Sequence, residues 1–484
     1  MLELNNQYTR LKRQVHSMVI KSFFAGTLEE DIDKIPFWII PKDAATSRCC
    51  IYKERAMIRY RIMALLGVNI EKDDDEMKPL SEYYKEVMKK EILATPVITT
   101  ISTACSSCPK DQYLISDACR GCFARPCYVN CPKDAIFFSN GQAHINQELC
   151  IRCGKCMDVC PFHSVVHIPV PCEAACPVGA IKKNEDGIVN VDYKKCISCG
   201  KCTRSCPFGA IVERSSLFTT LKYLQNDDKV VAMIAPSIDG QFPGTLEQIK
   251  QGLLLAGFDE VVEVSEGAAI TAENEAKEII ERLKDGEPYM TTSCCPSYIE
   301  LINRHLPFLK DKKSDTLSPM GYIAQMVKEK DPEVKTVFIG PCLSKRIEAV
   351  SLKTVDGVIN YSELAALFMA KDIDVREVEA ADMGDTSEFE DCRDFAVSEG
   401  VAGCVVHRLQ EGQEITPMYI NGLDLKTFRG MKIWPKKAPA AELIEVMICE
   451  GGCINGPGTI VSPKLAMRLR SGNVKTPAKL TKRK

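Results

Sequence analysis

No stretch of this chain comes near the ~18 uninterrupted apolar residues that a membrane helix needs, and no apolar run of the signal-peptide type opens it. A cytoplasmic, soluble chain is the expectation. Charge of one sign is missing too. The 62 Lys and Arg against 65 Asp and Glu leave a formal charge of −3, too little to make the whole molecule attract nucleic acid. Neither a membrane nor a nucleic acid is an expected partner. The 484 residues are enough for two or three domains with their own cores.

What the chain has in excess is cysteine, 25 in all. A reducing compartment disfavours disulfides. Zinc ribbons use paired Cys-x2-Cys knuckles, whereas this chain repeats Cys-x2-Cys-x2-Cys-x3-Cys-Pro, a run that wraps an iron–sulfur cubane. The blocks are Cys119, Cys122, Cys127, Cys131; Cys150, Cys153, Cys156, Cys160; a truncated Cys172, Cys176; and Cys196, Cys199, Cys202, Cys206, with Cys105 and Cys108 ahead of them. Segments such as Pro177-Val178-Gly179-Ala180-Ile181 and Pro207-Phe208-Gly209-Ala210-Ile211 suggest internal duplication.

The pattern resembles multi-cluster ferredoxin subunits of bacterial oxidoreductases, including the Arg125-Pro126-Cys127 variant of one run. The fourth thiolate of a run usually goes to the partner cluster. Cys119, Cys122 and Cys127 should then meet Cys160; Cys150, Cys153 and Cys156 should meet Cys131; and Cys196, Cys199 and Cys202 should meet Cys176. Sixteen cysteines lie between Cys105 and Cys206, enough for four cubanes. Cys105, Cys108, Cys172 and Cys206 remain as a fourth set by elimination, so three to four accessory [4Fe–4S] clusters are expected.

Past residue 212 apolar strands alternate with helices. Strands are expected at Lys229–Ile234, Glu260–Val264, Tyr289–Thr292, Lys335–Ile339, Val401–Val406 and Leu443–Ile448, with helices at Leu246–Leu255 and Ala272–Leu283. That order argues an α/β domain of open sheets flanked by helices. Three cysteine motifs fall just past strand ends, where such sheets bind ligands. They are Thr292-Ser293-Cys294-Cys295-Pro296, Gly340-Pro341-Cys342-Leu343-Ser344-Lys345 and Met447-Ile448-Cys449-Glu450-Gly451-Gly452-Cys453.

Together these motifs resemble the three signatures of the [FeFe]-hydrogenase catalytic domain, over residues 213–460. The resemblance implies reversible interconversion of protons and H2 at an H-cluster: a [4Fe–4S] cubane linked to a two-iron subsite with CO, CN and azadithiolate ligands. Cys295, Cys342, Cys449 and Cys453 match the cubane ligands. Lys345, Pro236 and Ser237 match cyanide-binding positions, and Met447 a methionine packed on the two irons. Cys294, Glu275, Glu278 and Ser314 match a proton relay. Ferredoxin or another low-potential carrier, and maturation enzymes for the di-iron unit, are the implied partners.

There are departures. Gly340 stands where typical members carry methionine, Met320 where they carry glutamine, and Tyr298 for a usual tryptophan, as in a less-studied branch sometimes called group B. Two other readings stay open: an iron–sulfur assembly scaffold lacking the di-iron unit, and an H2 sensor, although no output region is evident after residue 460. The expected division is a helical region (1–100), ferredoxin-like domains (101–212), the catalytic domain (213–460) and a flexible basic tail (461–484). Within the first, helices are expected at Tyr52–Leu66 and Leu80–Leu93. Cys49, Cys50, Cys392 and Cys404 fit no motif and read as buried structural thiols.

Overall fold

The computed structural model describes residues 6–470, apart from 47, 48, 74, 91–94, 106, 107, 227 and 383. Two small parallel sheets organise the C-terminal half. Strands β1 (Val230–Ile234), β2 (Glu260–Glu263), β4 (Lys335–Ile339) and β5 (Gly357–Ile359) form one, in the order β2-β1-β4-β5. Strands β3 (Met290–Thr291), β6 (Pro417–Asn421) and β7 (Leu443–Met447) form the other, in the order β3-β7-β6.

Successive strand side chains face opposite ways, so a parallel sheet covered on both sides must be apolar throughout. In the first sheet Met233 and Phe338 pack with Met320, Ile323 and Ala324 of helix Pro319–Lys330. Ala232, Ile234, Val337 and Ile339 point the other way, into a core with Ile249, Leu253 and Leu364. Helix Leu246–Leu255 starts at Thr245, whose side chain accepts from the Gln248 amide in a capping box. This is the predicted α/β architecture.

The region from residue 98 to 213 is a string of short antiparallel pairs. Gln112–Ile115 pairs with Val165–Ile168, Ile136–Ser139 with Gln142–Ile145, Ile181–Lys183 with Val189–Val191, and Ile98–Thr100 with Ile211–Glu213. In three of the repeats the amide four residues after a Cys-Pro cysteine donates to its sulfur: Ala135 to Cys131 at 3.3 Å, Ala180 to Cys176 at 3.2 Å, Ala210 to Cys206 at 3.3 Å. A duplicated local geometry therefore underlies the duplicated sequence. Ahead of this region, helix Gln7–Phe24 packs on helices Ile51–Leu65 and Tyr361–Ala370. Among the described residues no helix is long and apolar enough to cross a membrane.

Several expectations are corrected. Val401–Val406 lies in a helix, α1 (Gly400–His407). The buried Glu445 carboxylate reaches from β7 to accept from the Glu399 and Ala402 amides, at 2.7 and 2.9 Å, satisfying a helix N-terminus that the local sequence leaves uncapped. Strands β5 and β6 went unrecognised. The helix expected at Leu80–Leu93 is described from Leu80 to Met88, and Leu93 itself lies outside the described residues. Cys49 is exposed and Cys50 half-buried, because they sit at the surface end of helix Ile51–Leu65. Cys392 and Cys404 are buried as expected. The basic tail begins as a helix, Pro463–Arg470, anchored by buried Ala466 and by Arg470, 3.1 Å from Asp394. The rest of that tail, 471–484, lies outside the described residues.

Candidate active site

Four strand ends from the two sheets converge on one cavity of about 90 Å³, room for several water molecules. Past β1 come Pro236 and Ser237; past β3, Cys294 and Cys295; past β4, Cys342; past β7, Cys449 and Cys453. All of them line the cavity, as do Lys345 and Met447. Segments distant in sequence are thus brought to one place by the carboxyl ends of parallel strands.

The thiols act on one another electrostatically. Burial, then the Cys342 and Cys295 thiolates, push Cys453 up to about 12. Burial and the Cys295 thiolate push Cys342 to about 11. Burial also raises Cys295, against which the Ile448 and Tyr298 amides donate. Such a crowd of thiols is costly to ionise without a cation among them.

Lys345 closes one side. Its Nζ lies 2.7 Å from Glu348 Oε2 and 3.1 Å from Ser318 Oγ. Burial opposes its charge, but Glu348 and the Cys342 and Cys294 thiolates hold its pKa above the ordinary lysine value. Ser318 has a second task, capping helix Pro319–Lys330 through the Gly321 amide. Ser237 Oγ is 2.6 Å from Tyr361 Oη.

The relay candidates lie near one another. Glu275 lies fully buried on helix α2 of the site, Val264–Lys284, and accepts from the Ser293 amide at 3.3 Å. Burial, with Glu278 nearby, pushes it up to about 8, and burial followed by Glu275 raises Cys294. Ser314 Oγ donates to Glu278 Oε2 at 2.7 Å, and Glu278 reaches the surface beside Arg282.

The structure also brings in residues that sequence reasoning passed over. Ala235, Phe338, Phe395 and Ala396 line the cavity. A Cβ at Gly340 would stand 2.5 Å from the Phe338 ring, so that ring occupies the space a side chain at 340 would need. Gly452, at φ +90°, would place a Cβ 2.7 Å from Ala396 O and the Ser398 amide. Its glycine permits close backbone packing within the protein. Met320 and Tyr298 are both fully buried, and Tyr298 donates to Thr291 Oγ1 at 2.9 Å.

The other cysteines assemble into groups. Cys172 is pushed up to about 12 by burial and by the Cys206, Cys105 and Cys108 thiolates. Cys199, also about 12, feels Cys196 and Cys176 after burial, and Cys202 feels Cys199, Cys196 and Cys176. Cys127 feels Cys160, Cys122 and Cys119; Cys156 feels Cys150 and Cys153, and shares its apolar neighbours with Cys131. Sulfurs in these groups accept further backbone amides, such as Val189 to Cys105 at 3.3 Å and Ser198 to Cys196 at 3.4 Å. Thiol quartets with amides aimed at the sulfurs fit cubane ligation.

The Cys196–Cys206 loop is bolted to the cavity motifs. Ser344 Oγ donates to Ser198 O at 2.8 Å, and Arg204 Nη1 reaches Asn455 O, Asn455 Oδ1 and Gly456 O at 2.7, 2.9 and 3.1 Å. Gly200 abuts Pro457 and Leu343 with no room for a Cβ. Cys199 lines the cavity wall and acts on Cys449.

Known proteins are similar to this chain over both regions. Residues 228–457 match the family model "Iron only hydrogenase large subunit, C-terminal domain", and 143–165 and 188–211 match 4Fe–4S binding domains. Iron hydrogenase 1 of Clostridium pasteurianum is 26% identical over 266 residues, 45% of this chain and 46% of that protein. An NADP-reducing hydrogenase subunit of Solidesulfovibrio fructosivorans is 27% identical over 312 residues, 51% and 53% of the two chains. The matched part thus spans about half the length of these curated relatives. Among solved structures, an apo [FeFe]-hydrogenase variant from Chlamydomonas reinhardtii aligns with 20% identity and a TM-score of 0.42, over 53% of this chain and 88% of that one. Residues 228–457 are thus similar to the C-terminal domain of iron-only hydrogenase large subunits, and the region ahead of them carries 4Fe–4S binding domains.

Proposed function

We propose that the protein is an [FeFe]-hydrogenase, interconverting protons and H2 in the cavity beneath Lys345. The observation that carries this reading is the joint one: four thiols around a cavity, a buried ammonium on its wall, and a run of neighbouring titratable and hydroxyl groups leading from that cavity towards the surface. Cys295, Cys342, Cys449 and Cys453 would hold the cubane of an H-cluster, and Lys345, with the Pro236–Ser237 turn, would hold the anionic ligands of its two-iron part. A charge-assisted donor suits such ligands. When bound, that group would supply the metal site at which protons meet electrons exchanged with the external carrier.

The chain's own work is positioning and proton movement. Cys294 holds a proton at the cavity edge, Glu275 exchanges it with Ser314, and Glu278 trades it with solvent. Met447 and Phe338 keep water away from the cavity floor. The remaining quartets would carry three to four [4Fe–4S] clusters, with that of Cys176, Cys196, Cys199 and Cys202 nearest the cavity. Ferredoxin or a similar low-potential carrier would be the electron partner, with separate maturation enzymes inserting the di-iron unit in the cytoplasm.

Infrared spectroscopy of protein loaded with the di-iron cofactor, together with an H2-evolution assay, tests this. Bands of metal-bound CO and CN⁻ with turnover are expected. Loaded clusters without those bands would instead favour an assembly scaffold. Bands with H2 binding but negligible turnover would favour a sensor.

A further inference from the structure

A second group of metal-ligating side chains lies outside the cavity thiols. Asp391 and Cys392 belong to the short helix Glu390–Ala396, and Cys404 and His407 to α1. A carboxylate oxygen of Asp391 and the sulfurs of Cys392 and Cys404 all lie within 4.8 Å of one another. Both thiols are buried, while the carboxylate is exposed. Cys404 and His407 are three apart on one helix, so they share a face. His407 Nδ1 lies 4.0 Å from Asp391 Oδ2.

We propose that Asp391, Cys392, Cys404 and His407 form a site for one divalent cation of the zinc type. Two thiolates, an imidazole nitrogen and a carboxylate oxygen are ligand types that zinc takes in tetrahedral sites, whereas thiolate sulfur disfavours Mg²⁺ and Ca²⁺. Arg408 holds the carboxylate in place, with Nη1 2.8 Å from Oδ2 and Nη2 3.2 Å from Oδ1. Each oxygen keeps a further lone pair for a metal, and an outer donor of this kind orients a ligating carboxylate.

The charges balance. Binding releases the two thiol protons to solvent, leaving two thiolates and one carboxylate against the dication and the Arg408 guanidinium. The ion would tie helix Glu390–Ala396 to α1. Phe395 and Ala396, on the same segment as Cys392, line the cavity, and Gly452 packs against the Ala396–Ser398 backbone. The ion would therefore fix one wall of the candidate active site. This assignment does not depend on what that cavity binds.

The test is elemental analysis of the anaerobically prepared, cluster-loaded chain and of its Cys392→Ser, Cys404→Ser and His407→Ala variants. About one zinc per chain is expected, lost in either cysteine variant with iron content unchanged. The exposed His407→Ala variant, which leaves the core intact, should bind Zn²⁺ at least about tenfold more weakly, since even outer partners cost that much. Co²⁺ in place of zinc should show thiolate-to-metal charge-transfer absorption that disappears in the cysteine variants. Equal zinc in wild type and all variants would overturn the site, as would mass spectrometry showing a Cys392–Cys404 disulfide in the prepared chain.

Discussion

Ser314 Oγ donates to Glu278 Oε2 across 2.7 Å, joining a fully buried hydroxyl to a carboxylate that reaches solvent. On its inner side the same hydroxyl neighbours Glu275. A positioned proton carrier contributes about 10²–10⁴-fold to rate. Glu275→Gln should lower H2 evolution by at least about 10², and Ser314→Ala by about tenfold or more, with the infrared bands of the loaded protein unchanged. Wild-type turnover in Glu275→Gln would remove that carboxylate from the path.

Glu275 also gives the fold a pH dependence. Its folded pKa of about 8 lies above the ordinary 4.5, so between those values the folded chain binds more protons than the unfolded one. Stability should therefore fall as pH rises from 4.5 towards 8, by up to about 1.4 kcal/mol per unit from this group. Urea titrations across that range should show a slope that Glu275→Gln flattens.

His16 works in the opposite sense. Burial, then the Lys12 ammonium, depress it to about 3. Below the ordinary 6.5 the unfolded chain takes up a proton that the folded chain refuses, so stability from this group is lost as pH falls from 6.5 towards 3. His16→Phe should reduce the acid sensitivity of the unfolding midpoint between pH 6 and 4, about the range where only the unfolded imidazole is charged.

A buried ion pair ties helix Lys345–Leu352 to helix Tyr361–Ala370 and to the backbone at Arg214. Arg346 Nη2 contacts both Glu363 oxygens, at 2.9 and 2.8 Å, and Nη1 donates to Arg214 O at 2.8 Å. Glu363 also accepts from the Asn360 amide at 2.8 Å. Removing one partner of a buried pair costs about 3–5 kcal/mol. Arg346→Met should lower stability by that amount in urea unfolding, and Arg346→Met with Glu363→Leu by less.

Gly340 and Phe338 should be coupled. Gly340→Met forces a side chain towards the Phe338 ring, and overpacking of this sort costs about 1–3 kcal/mol. The double variant Gly340→Met with Phe338→Ala should recover part of the lost stability, with a coupling of about 0.5–3 kcal/mol. Simple additivity would mean the two sites do not share space.

How far the site could be read from the chain depended on the kind of interaction. The three cysteine motifs and Lys345 were legible, since each follows a strand whose apolar run marks its end. Glu275 and Glu278 were legible as neighbours because a helix puts residues three apart on one face. The helix at Val401–Val406 was not, because its N-terminus is satisfied by Glu445, a residue on a distant strand. The departure at Gly340 had no visible reason until Phe338 was seen in the space beside it.

By itself the sequence determined which atoms are offered. Short loops keep the thiols of one run together, strand periodicity sets which end of each segment carries a motif, and charge balance leaves the molecule as a whole with no strong pull on polyanions. Only the tertiary structure decided which distant groups meet: Arg204 with Asn455, Ser344 with Ser198, Arg346 with the Arg214 backbone. Those meetings rest on side chains packing across sheets and on hydrogen bonds between segments hundreds of residues apart. Local spacing carries no record of such contacts, because they depend on how the whole chain closes on itself.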